Sequence, residues 1–167
     1  MSDKFAILGV PRRYDLSSDE LEARYRERSR AVHPDRFAKA PPAERLRALQ
    51  ASTELNDAFR ALRSPVGRAE HLLELGGHKL GERDLVSQEL LLEILELREG
   101  LAEARAGGDQ ARLRELTGDV SARHQAAMSR IGDLFATGGD LAEIKQELIS
   151  LRYFQRFLDE AAGEEAA

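Results

Sequence analysis

Cysteine is absent from the 167 residues, and so is tryptophan. Without a thiol the chain can form no disulfide, thiolate zinc site, cysteine-ligated iron–sulfur cluster or cysteine nucleophile. No metal site and no cofactor are expected. The lack of cysteine suits a reducing compartment, so a cytoplasmic location is expected. Long apolar runs are also missing. None approaches the ~20 residues that a membrane span needs, so no membrane partner is expected. Met1-Ser2-Asp3-Lys4-Phe5 leads into no apolar h-region, so no signal peptide is expected. Strand-length alternation and internal repeats are absent as well. Aromatics are only 5% of the chain.

What is present favours helix. Leu, Ala, Glu and Arg dominate, and all four are good helix formers. Hydrophobic residues make up 42%, enough to build a core, and 33% are charged. The net charge of -5 is uneven. Residues 1–75 carry 14 Lys+Arg and 12 Asp+Glu, a balance of +2. Residues 76–167 carry 11 and 18, a balance of -7. Two halves of different sign can meet different partners, although solvated faces alone would also give such a difference.

Glycine pairs mark the breaks. Gly76-Gly77 with Gly81, Gly107-Gly108 and Gly138-Gly139 each interrupt helical patterning. A first long helix is expected near Ser17, with Ser17 and Glu20 spaced as a capping box and Leu16 and Leu21 as a staple. Leu21, Tyr25, Ser29 and Val32 form its stripe, and Glu20–Arg24 and Glu22–Arg26 are favourable i,i+4 pairs. It stops before Pro34. A second helix starts near Pro41-Pro42, with Ala48, Ser52, Leu55, Phe59 and Leu62 as its stripe. Ser64-Pro65 ends it and opens another helix, running to about Leu75. The first two pack as an antiparallel hairpin.

Three more helices are expected at roughly 84–106, 109–136 and 140–161, with Asp109 and Asp140 as caps. Their stripes are Leu90, Ile94, Leu97 and Leu101; Leu113, Leu116, Val120, Ala127, Ile131 and Leu134; and Leu141, Ile144, Leu148, Leu151 and Leu158. The fold is therefore read as all-α: residues 1–75, a linker at 76–83, and a three-helix bundle over 84–167. Gly100 and Gly118 fall inside these helices, where glycine costs about 1 kcal/mol relative to alanine. Close approach of a neighbour is one explanation. The acidic tail Glu160 to Ala167 is expected to fray.

His33-Pro34-Asp35 lies between the first two long helices. By chance such a tripeptide would occur in about 2% of chains of this length, so context decides its weight. It follows a helix bearing Arg24, Arg26, Arg28 and Arg30. It precedes a helix containing Leu55-Asn56-Asp57-Ala58-Phe59-Arg60-Ala61-Leu62. Pro34 fixes one torsion and removes a donor, leaving His33 and Asp35 as a donor and an acceptor at fixed separation. A bland turn capped by Asp35 is the alternative.

That arrangement resembles a J domain. The resemblance extends further. Phe5-x-x-Leu8-Gly9-Val10-Pro11-x-x-Tyr14-x-Leu16, Arg68-Ala69-Glu70-His71-Leu72-Leu73, Leu91-Leu92-Glu93-Ile94-Leu95-Glu96-Leu97-Arg98-Glu99 and Ala122-Arg123-His124-Gln125 are together similar to the HscB family of J-proteins, over roughly residues 5–158. The family's eukaryotic N-terminal cysteine module is missing, which points to the bacterial form. The resemblance implies a co-chaperone, not an enzyme. Its His33-Pro34-Asp35 loop and the four arginines would bind a DnaK-class ATPase chaperone, HscA or DnaK, and stimulate ATP hydrolysis. Its bundle would deliver the iron–sulfur scaffold IscU. A general J-domain co-chaperone with another client is the alternative.

Periodicity independently marks a second surface. Stepping about 100° per residue from Leu90 leaves Leu92, Leu95, Glu96, Glu99 and Glu103 opposite the core stripe, with Leu91 at the edge. A leucine–glutamate patch on a solvent face is what a protein-binding surface looks like, unless the linker or scattered exposure accounts for it. In the HscB family the matching face binds the scaffold, which implies Leu91, Leu92, Leu95, Glu96, Glu99, Glu103 and Tyr153. Two other functions fit poorly. A hydrolase using His33 and Asp35 has no serine elbow, phosphate loop or metal cluster to work with. Nucleic-acid binding through the arginine helix is opposed by Glu20, Glu22 and Glu27, so no nucleic acid is expected. His71, His78 and His124 lack metal-ligand spacing. His124 is expected to be a hydrogen-bonded packing residue, and Phe154 and Phe157 are expected in the core.

Overall fold

Helix signals in the sequence locate most of the architecture. The structure, a computed structural model, describes residues 2–163. Among them are seven α-helices and no strand. They run α1 Lys4–Leu8, α2 Ser18–Val32, α3 Pro42–Arg63, α4 Pro65–Leu75, α5 Gln88–Ala106, α6 Gln110–Ala136 and α7 Leu141–Ala161. A single 3-10 turn, Pro34–Phe37, joins α2 to α3. No helix is long and apolar enough to cross a membrane among the described residues.

The expected caps act as such. Ser17 Oγ accepts from the amide of Glu20, Ser64 Oγ from that of Gly67, Asp109 from that of Arg112 and Asp140 from that of Ala142. Each satisfies one of the free amides at a helix start. One start differs from expectation. The helix expected from residue 84 begins at Gln88, with Ser87 as its cap. Asp84 instead accepts from the amide of Gly81 at 2.7 Å and pairs with Lys145 at 3.1 Å, so its carboxylate is used in a turn. Helix α1 was not expected: five residues are too few for a periodic pattern. It is fixed instead by Asp3 at its start and by Gly9, in the left-handed region at φ 76°, at its end.

The chain divides into two units, Met1–Lys79 and Leu80–Ala167. In the first, α2 and α3 form the antiparallel hairpin and α1 packs across it. Phe5, Leu8, Val10, Leu16, Leu21, Leu55 and Leu62 make its core. In the second, α5, α6 and α7 form a three-helix bundle around Leu101, Leu116, Val120, Phe154 and Phe157. Leu80 packs beside Val86, Ile94 and Ile149, so the bundle's apolar contacts begin at residue 80. This is the expected all-α arrangement of a J domain followed by a helical bundle.

Glycine is demanded at Gly67, where a Cβ would lie 2.1 Å from the carbonyl oxygen of Ala61. Close approach does not explain Gly118, whose Cβ would meet nothing within 4 Å, nor Gly100, which would make only ordinary contact with Leu116. At the other end, Glu160 and Ala161 still belong to α7, and both carbonyls accept from Arg105. Ala162 and Gly163 close the helix, their amides donating to the carbonyls of Leu158 and Glu160, and residues 164–167 of the expected fraying tail lie outside the described residues.

Candidate functional site

Two exposed features carry the candidate chemistry, one in each unit. The first is the turn between α2 and α3. His33 ends α2 in extended geometry at ψ 128°, as the residue before a proline must, and caps the 3-10 turn. Its Nδ1 accepts from the amide of Asp35 at 3.3 Å. The accepting nitrogen carries no proton in neutral imidazole, so the N–H is at Nε2, free for a partner. The carboxylate of Asp35 lies 3.6 Å from Nδ1, and its side chain is 91% exposed. Arg36 braces the turn by donating to the carbonyl of Arg30. The tip therefore presents one donor and one carboxylate on a short, braced turn, where an irregular loop was expected.

The four arginines do not share one face. Steps of about 100° place Arg24 and Arg28 on one flank of α2 and Arg26 and Arg30 on another. Arg24 pairs with Glu27 at 2.9 Å and Arg26 with Glu22 at 3.0 Å. The expected Glu20–Arg24 pair is absent because Glu20 turns to Arg13 at 3.5 Å. Arg28 lies over Gly9, where a Cβ would come within 2.5 Å of its guanidinium. Arg30 is exposed and forms no ion pair among the described residues.

The apolar-Asn-x-Ala-aromatic stretch of α3 holds the hairpin together. Leu55, Ala58 and Leu62 are buried. Phe59 stacks on Tyr25 with centroids 4.3 Å apart, and Asn56 accepts from the Tyr25 hydroxyl at 2.7 Å. Two buried polar residues tie α4 to the rest of the unit, and their roles were not evident from periodicity. Arg68 donates to the carbonyls of Tyr14 and Leu62, each at 2.9 Å. His71 accepts from the amide of Lys4 at 3.0 Å and stacks on Phe5.

The second feature lies on α5. Leu92 and Leu95 are 55% and 48% exposed, while Ile94 and Leu101 are buried. Glu96, Glu99 and Glu103 are exposed, and none forms an ion pair among the described residues. Leu91 is half-buried and packs with Tyr153 against the cluster of Val86, Ile94 and Ile149. Phe154 faces the other way and is buried in the core, as is Phe157. Of the two adjacent aromatics, Tyr153 is thus the one that packs against the same cluster as Leu91. His124 is half-buried and its ring makes no hydrogen bond among the described residues, so the expected hydrogen-bonded role is not seen there.

Known proteins share this arrangement. The chain is 35% identical over 164 residues to a co-chaperone protein HscB homolog of an Azoarcus species, covering 95% of this chain and 93% of that protein. The chain belongs to the HscB co-chaperone family. An HscB homolog of Aromatoleum aromaticum is 36% identical over 166 residues, again covering 95% and 93% of the two chains. Residues 86–162 match the family described as the HSCB C-terminal oligomerisation domain. Among solved structures, chaperone HscB from Vibrio cholerae superposes with a TM-score of 0.82 at 27% identity, covering 97% of this chain and 96% of that one. Human co-chaperone protein HscB gives a TM-score of 0.85 at 28% identity, covering 99% and 83%. These HscB relatives are named as co-chaperones.

Proposed function

We propose that this chain stimulates ATP hydrolysis by a DnaK-class chaperone, HscA, and delivers the iron–sulfur scaffold IscU to it, in the cytoplasm. The observation that carries the proposal is the braced turn at His33-Pro34-Asp35, with its exposed His33 ring and its exposed Asp35 carboxylate. The exposed arginines beside it suit an acidic chaperone surface, because guanidinium binds carboxylates in bidentate fashion. No bond is made or broken by this chain in the scheme. Its work is a difference in affinity for two chaperone states.

The scaffold docks on Leu91, Leu92, Leu95, Glu96, Glu99, Glu103 and Tyr153. Leu92 and Leu95 supply apolar contact, the glutamates a charged rim, and Tyr153 an amphipathic ring at the edge. Membership of the HscB family and the exposure of this face support that assignment. Calorimetric titration of purified IscU, set beside unrelated client proteins, tests it. Saturable binding of IscU alone is expected. Equal heats with unrelated clients, or none with IscU, would contradict the scaffold assignment.

A further inference from the structure

Helix α3 outruns its partner in the hairpin. Tyr25 lies level with Asn56 and Phe59, to which it bonds and on which it stacks. Val32 ends α2 seven residues later, level with positions about 49–52 of the antiparallel α3. The start of α3 at Pro42 therefore overhangs the end of α2 by about two turns, roughly 10 Å. This overhang is at the same end of the hairpin as the His33-Pro34-Asp35 turn. Only residues 38–41 separate the two, and the turn packs against α3. Leu46 and Leu49 are 56% and 54% exposed there. Steps of about 100° put Leu46 opposite the buried Ala48, Leu55, Ala58 and Leu62, with Leu49 beside it. Arg45 and Arg47 flank Leu46, one on each side.

The charges around this leucine pair differ from those on α2. Arg24 and Arg26 are held by glutamates of their own helix. Lys39, Arg45 and Arg47 are exposed and form no ion pair among the described residues. Glu44 is the only acid between residues 38 and 53. Such a patch fits an acidic segment that also exposes apolar side chains. The leucines would form the dry centre of the contact, and the guanidinium groups would grip carboxylates at its rim. We infer that the overhang is a second docking surface for the ATPase chaperone, taking an acidic, apolar segment beside the site that receives His33 and Asp35. The inference rests on the proposed stimulation of that chaperone, and it divides the work. The turn triggers hydrolysis, while the overhang adds affinity and favours chaperones that carry the acidic segment.

Single-turnover ATP hydrolysis by HscA, titrated with the full-length chain, tests the inference. Leu46→Ala with Leu49→Ala makes one variant, and Arg45→Glu with Arg47→Glu makes another. All four positions are exposed, so unchanged melting curves serve as the folding control. In each variant the concentration giving half-maximal stimulation is expected to rise by about tenfold, with the plateau at saturation unchanged. Raising the salt should shift the wild-type half-point several-fold and that of the arginine variant much less. A wild type that stimulates, with variants that share its half-point, overturns the inference and leaves the proposed function standing. So does a lowered plateau at an unchanged half-point, which would make the patch part of the trigger. An unchanged half-point is also the outcome if the patch serves an anionic membrane or the scaffold, and in the scaffold case IscU affinity falls in its place. A wild type that does not stimulate overturns the proposed function and this inference with it.

Discussion

Tyr25 on α2 donates its hydroxyl hydrogen to Oδ1 of Asn56 on α3 at 2.7 Å while its ring stacks on Phe59. One side chain thus closes the hairpin twice, beside the core formed by Leu21, Leu55 and Leu62. Tyr25→Phe keeps the ring and loses only the hydrogen bond. It should cost about 0.5–1 kcal/mol in urea unfolding. Phe59→Ala removes the stacked ring and should cost about 2 kcal/mol or more.

Arg68 carries a buried charge with no carboxylate in ion-pair contact among the described residues, although Asp15 acts on it from further off. Three carbonyls accept from its guanidinium, and Tyr14 lies beneath it with the ring centroid 5.6 Å away. Burial lowers its pKa below the usual arginine value. Arg68→Met strands those carbonyls and should cost about 2–4 kcal/mol in denaturant unfolding. Arg68→Lys keeps the charge but lacks the planar fork, so it should also destabilise the first unit.

His71 predicts an acid sensitivity. Its Nε2 accepts from the amide of Lys4, so the proton sits on Nδ1, which faces Glu74 at 3.3 Å. Burial, then the positive Lys4, lowers its pKa below 6.5; Glu74 and Asp3 oppose the shift without reversing it. The unfolded chain therefore binds a proton on this group before the folded one does. The contribution of His71 is complete above about pH 6.5, is lost as pH falls toward the lowered folded value, and then levels off. Urea unfolding between pH 7.5 and 5 should show that loss, and His71→Gln should flatten it. An unchanged slope in the variant would sink the assignment.

Leu92→Ala combined with Leu95→Ala tests the bundle face. Both side chains are exposed, so thermal stability should change little. Affinity for IscU should fall by about tenfold, because truncating apolar anchors commonly costs more than 1 kcal/mol. Equal affinity by calorimetry would refute the face.

Much of this was legible in the sequence, for local reasons. Ser17, Pro42, Ser64-Pro65, Asp109 and Asp140 each fix a helix start through their own side-chain chemistry. Leu92 and Leu95 were placed outside by helical period alone. What escaped depends on neighbours distant in sequence. Asp84 looks like a cap until Lys145 and Gly81 claim it. Ile149 is off the α7 stripe but is buried by Val86 and Ile94. Arg68 and His71 act on residues 54 and 67 positions away. Leu46 and Leu49 are ordinary helix residues until the core shows which side of α3 is left open.

The docking role of His33 is the centre of the account. Single-turnover ATP hydrolysis by HscA, with wild-type chain or with His33→Gln, measures it most directly. The side chain is exposed, so the variant should fold and bind IscU as the wild type does. Wild type should accelerate hydrolysis, and the variant should leave it at the basal rate. Stimulation by the variant equal to that of the wild type would contradict the account.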